Sequence, residues 1–183
     1  MRTAVVLAIL LGSPLASASP FSLGLGIGAG SGPGRTGWFS SGMLIAGDSI
    51  VPWLDARALL VRHSNNLSNL FGGGPELRAD AGLLGIQIHP TLLGRFGPVA
   101  DVAAGLGRVS EPLSGAFGGD SRRRTDLAWQ IGIGLTARPW ASRRDWITVE
   151  WVITQYAHYP RPDRLASVEG KLEGPMASFV GVF

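Results

Sequence analysis

The chain is 183 residues long, enough for one domain and too short for two ordinary ones. Hydrophobic residues make up 45% of it and charged residues 16%, and a net charge of +3 gives no ground for a nucleic-acid partner. There is no cysteine, which excludes a disulfide framework, a thiolate metal site and a cysteine nucleophile together.

The first segment has the pattern of a secretory signal peptide. Met1-Arg2 provides a short positive end, residues 3–11 are almost unbroken apolar, and Ala16-Ser17-Ala18 supplies the small residues of a cleavage site. The apolar run is too short to cross a bilayer as a helix. Cleavage is expected after Ala18, so that 1–18 is the targeting segment and 19–183 the folded domain.

From residue 19 onward the dominant period is two, as in a strand whose alternate side chains point to opposite faces. In 21–30, Leu23, Leu25, Ile27 and Ala29 oppose Gly24, Gly26 and Gly28. Segments 38–48 and 53–63 follow. In 76–89, Leu77, Ala79, Ala81 and Leu83 oppose Glu76, Arg78 and Asp80, which places the charges on the inner face. Segment 96–108 precedes the clearest stretch, 126–138, where Leu127, Trp129, Ile131, Ile133 and Leu135 share one side. In 145–156, Ile147, Val149, Trp151 and Ile153 do the same. The eighth segment, 171–183, carries Ala177, Phe179, Gly181 and Phe183 on one face.

The connections alternate as well. Those at 31–37, 64–75, 109–124 and 157–170 are long and polar or glycine-rich, whereas 49–52, 90–95 and 139–143 are short and broken by Pro52, Pro90 and Pro139. Short turns at one end and long loops at the other are the asymmetry of an outer-membrane barrel. The expected fold is all-β: an eight-stranded antiparallel up-and-down transmembrane β-barrel in the bacterial outer membrane, both chain ends periplasmic. A soluble sandwich or lipocalin-like barrel would turn its apolar face inward. It would then have no dry place for Asp55, Arg57, Glu76, Arg78, Asp80, Asp101, Asp126 and Glu150, which can pair in a polar lumen. Trp38, Trp53, Trp140 and Trp146 fall near strand ends, as an aromatic girdle would. A lumen of eight strands is filled by side chains, which argues against a diffusion pore.

The last strand resembles the C-terminal strand of bacterial outer-membrane barrels, which implies recognition by the assembly machinery through a strand ending on Phe183. A second resemblance lies in the second half of the chain. The run Gly97-Pro-Val-Ala-Asp-Val-Ala-Ala-Gly-Leu-Gly, the strand Gln130-Ile-Gly-Ile-Gly-Leu and the segment Val152-Ile-Thr-Gln-Tyr-Ala-His-Tyr resemble lipid A deacylases over residues 97–183. Those are small outer-membrane barrels that remove an ester-linked acyl chain from lipopolysaccharide. The resemblance implies a His-x-Ser-Asn motif on the seventh strand and an orienting Glu on the last: a nucleophile, its base and a carboxylate. His158 takes the place of the base and Glu173 that of the acid. The nucleophile is not matched, because the chain reads His158-Tyr159-Pro160-Arg161. Alternation also puts His158 on the inner face and Glu173 on the lipid face of Phe183.

Another histidine and serine stand together in Arg62-His63-Ser64-Asn65-Asn66, though adjacent residues of a regular strand face opposite ways. His89 beside Pro90 reads as a turn residue, and no two histidines have metal-ligand spacing. No cofactor is expected. Arg122, Arg123 and Arg124 in the third external loop, with Arg161 and Arg164 in the fourth, suit the phosphates of lipopolysaccharide. The expectation is therefore a barrel that contacts lipopolysaccharide without hydrolysing it, the alternative being an ester hydrolase with Ser64 as a relocated nucleophile. An adhesin would need larger loops. A purely structural envelope component remains a third class.

Overall fold

A computed structural model describes residues 21–31, 38–64, 78–90, 95–112, 121–139, 145–157 and 170–183. Eight strands follow one another: β1 (Phe21–Ser31), β2 (Trp38–Val51), β3 (Leu54–Ser64), β4 (Arg78–Ile88), β5 (Phe96–Pro112), β6 (Ser121–Ala137), β7 (Trp146–Tyr156) and β8 (Gly170–Val182). Each pairs antiparallel with the next, and β8 returns to β1 to close the barrel. Closure places Leu25 opposite Phe179, and the Phe183 N–H donates to the Phe21 carbonyl at 2.8 Å. A closed barrel leaves no edge with unpaired N–H and C=O groups, which is why strands can cross a membrane at all.

The exterior is apolar. Ile27, Leu135, Leu106, Ile133, Leu25 and Leu84 each leave more than 60% of their surface exposed. Such a wall is unstable against water and stable against lipid tails. Strands of eleven residues, rising about 3.3 Å per residue and tilted by roughly 40°, match an apolar band on the order of 25 Å tall. Together the closed topology and the lipid-facing wall make this a barrel of the bacterial outer membrane.

Inside, the lower half is polar. Asp55 accepts from Ser49 Oγ at 2.8 Å and contacts His89 Nε2 at 3.0 Å, while Arg57 Nη2 lies 3.9 Å from the same carboxylate. His89 stacks on Trp146 at 5.1 Å between ring centroids, and the Arg57 guanidinium stands 5.9 Å from that ring. Gln87 donates to Glu150 at 3.0 Å, and the carboxylates of Glu150 and Asp101 converge above Gly132, where a Cβ would displace them. Above this plug lie Met43, Ile45, Leu59, Val61 and Leu83, all buried, while Val180 and Met176 stand opposite Trp146 and Glu150 at its own level.

Three expectations require correction. On β4 the apolar side chains Ala79, Ala81 and Leu83 face the lumen, and Arg78 and Asp80 face outward. Pairing requires it: His63, Val61 and Leu59 of β3 point inward and stand opposite Ala79, Ala81 and Leu83. The two charges sit at the strand's outer end, above the apolar band, where facing outward has little desolvation cost. Trp146 belongs to the lumen, 4% exposed, and not to a girdle; Trp53, half exposed in the β2–β3 turn, does face outward. Arg122, Arg123 and Arg124 lie in strand β6, opposite Glu111, Ser110 and Val109 of β5, and not in a loop. The β5–β6 ladder simply continues past the point where the neighbouring strands stop. Glu76 and Trp140 lie outside the described residues.

Candidate functional site

The long connections mark the external end of the barrel, and two side-chain groups gather there, one inside the wall and one outside.

The inner group forms around His63. It is inward on β3 and 3% exposed, and its Nδ1 lies 2.7 Å from Ser41 Oγ on β2. The Tyr156 ring of β7 meets it edge-on, centroids 6.3 Å apart. Among the described residues neither His63 Nε2 nor the Tyr156 hydroxyl has a hydrogen-bond partner. The adjoining cleft, lined also by Phe39, Thr154 and Leu172, amounts to about 10 Å³, the space of a single water. This is a hydroxyl–imidazole contact with room beside it for a solvent molecule.

The outer group is built by register. Arg62 of β3, Asp80 of β4 and Arg108 of β5 stand directly opposite one another across adjacent strands, all facing away from the lumen. Arg78 lies two residues beyond Asp80 on the same face. Arg62 Nε donates to Asp80 Oδ1 at 2.7 Å, and Arg78 Nε forms an ion pair with Asp80 Oδ2 at 3.2 Å. Two guanidinium groups thus hold one carboxylate, and a third arginine, Arg108, stands opposite it on the next strand. The two ion pairs engage Nε, so the Nη ends keep donors for an anion.

Of the residues singled out from sequence, His63 and Ser64 are not brought together. Ser64 occupies the other face of β3, and its carbonyl accepts from Ser40 Oγ at 3.1 Å. Glu173 faces outward on β8, bound to Lys171 Nζ at 2.7 Å and opposite Ile153 of β7. His158, Arg161 and Arg164 lie outside the described residues, and the β6 arginines are placed by backbone register alone. His89 is a buried partner of Asp55 and no mere turn residue. Sequence reasoning missed Ser41 and the outward trio of Arg62, Arg78 and Arg108. Folding the chain back about the Pro52-Trp53 turn alone would set Ser41 opposite Ser64; a bulge between Ser49 and Val51 shifts the register by one and brings Ser41 opposite His63, and nothing in the sequence marks that bulge.

No family model matches the chain, and no curated protein matches it either. Solved structures do. Neisserial surface protein A aligns over 90% of this chain and 96% of its own at 12% identity, with a TM-score of 0.61. A major outer membrane protein from Thermus thermophilus aligns over 91% and 100%, also at 12% identity, with a TM-score of 0.54. At such identities the likeness is one of fold, and that fold is the small outer-membrane barrel.

Proposed function

We propose that this chain is a sealed outer-membrane barrel that contacts lipopolysaccharide at its external end and does not hydrolyse it. The observation that carries this reading is the rung of Arg62, Asp80 and Arg108, with Arg78 above it, on the lipid side of the wall just where the apolar band ends. Side chains at that place and level meet the phosphates of outer-leaflet lipids, and guanidinium groups pair with phosphate in a fixed fork. Arg122, Arg123 and Arg124 continue beyond this rung on β6, and Arg161 and Arg164 belong to the β7–β8 connection; the proposal counts them as further phosphate contacts. Cleavage after Ala18 and recognition of the last strand through Phe183 by the assembly machinery complete it. The test is the amount of lipopolysaccharide that stays with the purified barrel through detergent washing. It should fall on joint substitution of Arg62, Arg78 and Arg108 by Gln, and an unchanged amount would overturn the reading.

A second reading, a lipid A deacylase-like ester hydrolase, is favoured by the 2.7 Å contact between Ser41 and His63. It would use Ser41 in place of Ser64 with His63 as its base, His158 and Glu173 being the members implied by resemblance. Lipid A masses from cells with and without the protein separate the two readings. Loss of one acyl chain, abolished by Ser41→Ala and by His63→Ala or His158→Ala, would sink the non-catalytic one.

A further inference from the structure

Directly beneath the arginine rung the wall has a gap. Gly82 of β4 stands opposite Leu60 of β3 on one side and Leu106 of β5 on the other, and all three face the lipid. Leu60 and Leu106 are 55% and 64% exposed. A Cβ built on Gly82 would meet only Leu60 Cδ2, at 3.7 Å, so the space above its backbone is open. Strands in a sheet are about 4.8 Å apart, which leaves the two leucines roughly 10 Å apart across a missing side chain. One rung down, the small Ala104 of β5 continues the depression between Leu84 of β4 and Trp129 of β6. The result is a slot, floored by Gly82 and Ala104 and walled by leucines, whose upper end opens under three guanidinium groups and one carboxylate.

We infer that this slot and rung together form a binding site for one phosphorylated, acylated glycolipid of the outer leaflet, its phosphate on Arg62, Arg78 and Arg108 and one acyl chain along Gly82. The inference rests on the lipopolysaccharide reading and narrows it to one patch, β3–β5, and one geometry: an anionic group directly above a straight hydrocarbon chain. Charge sets the polarity of the ligand. Arg62 and Arg78 share Asp80, whose carboxylate holds both heads in place, so the cluster stays cationic with donors to spare. Asp80 is a positioning residue here, since a carboxylate would itself repel phosphate. The occupant must reach both regions, which free phosphate and a plain fatty acid do not.

The experiment uses the purified barrel in detergent and three probes: lipid A carrying its phosphates, the same lipid A dephosphorylated, and the phosphorylated sugar core stripped of acyl chains. Affinities are compared for wild type, for Arg62→Gln with Arg108→Gln, for Gly82→Phe, and for Ala177→Phe, an outward substitution on the far side at β8. The gel shift of the unheated barrel certifies folding of each. The arginine variant should lose about tenfold for the phosphorylated lipid, the size of one or two charge-assisted hydrogen bonds, and nothing for the dephosphorylated one. Gly82→Phe should lose about fivefold for both acylated probes and leave the deacylated core unchanged, and Ala177→Phe should bind as wild type. If Gly82→Phe binds as wild type while the arginine variant is weakened, the slot is overturned and the lipopolysaccharide reading survives. If the arginine variant binds all three probes as wild type does, both fall. Equal competition by phosphatidylglycerol would overturn the assignment to a glycolipid.

Discussion

Asp55 concentrates more of the lumen's electrostatics than any neighbour described around it. A carboxylate taken out of water is tolerated only when its oxygens are occupied, and here Ser49, His89 and Arg57 occupy them. The partners are fixed in turn by Trp146, whose ring carries His89 on one side and faces Arg57. Asp55→Ala should therefore destabilise the barrel by about 3 kcal/mol, because it leaves Arg57 buried beside an empty place. Asp55→Asn, which keeps the shape and an acceptor, should cost less than half of that. Urea unfolding of the refolded barrel, followed by tryptophan fluorescence, measures both. Trp146→Ala removes a 4%-exposed ring from the same knot and should also cost about 3 kcal/mol. If instead it left the urea midpoint in place, Trp146 would not be a lumen residue. None of this coupling was visible in sequence. The face of Trp146 was legible, since the alternation of Ile147, Val149, Trp151 and Ile153 leaves it on the opposite, inner side; its place at a strand end suggested a girdle instead, and its partners on other strands were not legible.

At the scale of the strand, alternation is a statement about two faces and not about which face is inner. For β1, β6 and β7 composition decided it, because one face was bulky and apolar and the other small or polar. On β4 the outer end carries Arg78 and Asp80 and the inner face carries alanine, so the local contrast pointed the wrong way. What settles the face is β3, whose Asp55 and Arg57 must point inward and whose register then forces Gln87 and Gly85 to do likewise. Two substitutions on the outer face, one adding a charge at mid-wall and one removing a charge at the rim, test this. Leu84→Arg, at mid-wall with 62% exposure, should destabilise the barrel in a bilayer by about 2–4 kcal/mol. Arg78→Gln, at the rim, should cost under about 1 kcal/mol. Since the chain has no cysteine, single substitutions add a direct check: Leu84→Cys should react only with a lipid-soluble maleimide, and Leu83→Cys with neither kind in the folded barrel. The strand count, the turn positions and most boundaries were legible because glycine, proline and alternation mark them locally. The extension of β6 through 121–125 was not, because Ser-Arg-Arg-Arg-Thr has no apolar alternation and its pairing with 108–112 depends on β5 running equally long.

For the whole molecule, the question is whether eight strands closed around this set of side chains leave a path for ions. Around the plug, Arg57, Gln87, Asp101, Gln130, Trp146 and Glu150 are all buried, contributed by five different strands, so no single rotamer change opens the section. Two clefts, one beside His63 and one beside Arg57, amount to about 10 Å³ each, one water apiece. The barrel reconstituted in a planar bilayer should therefore show no conductance steps at 100 mV in 1 M KCl. Removing the plug should change this. A triple variant, Arg57→Ala with Trp146→Ala and Glu150→Ala, deletes one cation, one anion and the largest ring together, so that the charge of the section is unchanged, while Asp55 keeps Ser49 and His89. It should pass small ohmic currents while the unheated gel shift shows that the barrel still closes. Steps in the wild-type protein would mean that the lumen opens in the bilayer. A silent triple variant that retains the gel shift would mean that the apolar layer of Met43, Leu59 and Leu83 above the plug seals the barrel by itself, as dewetted constrictions do.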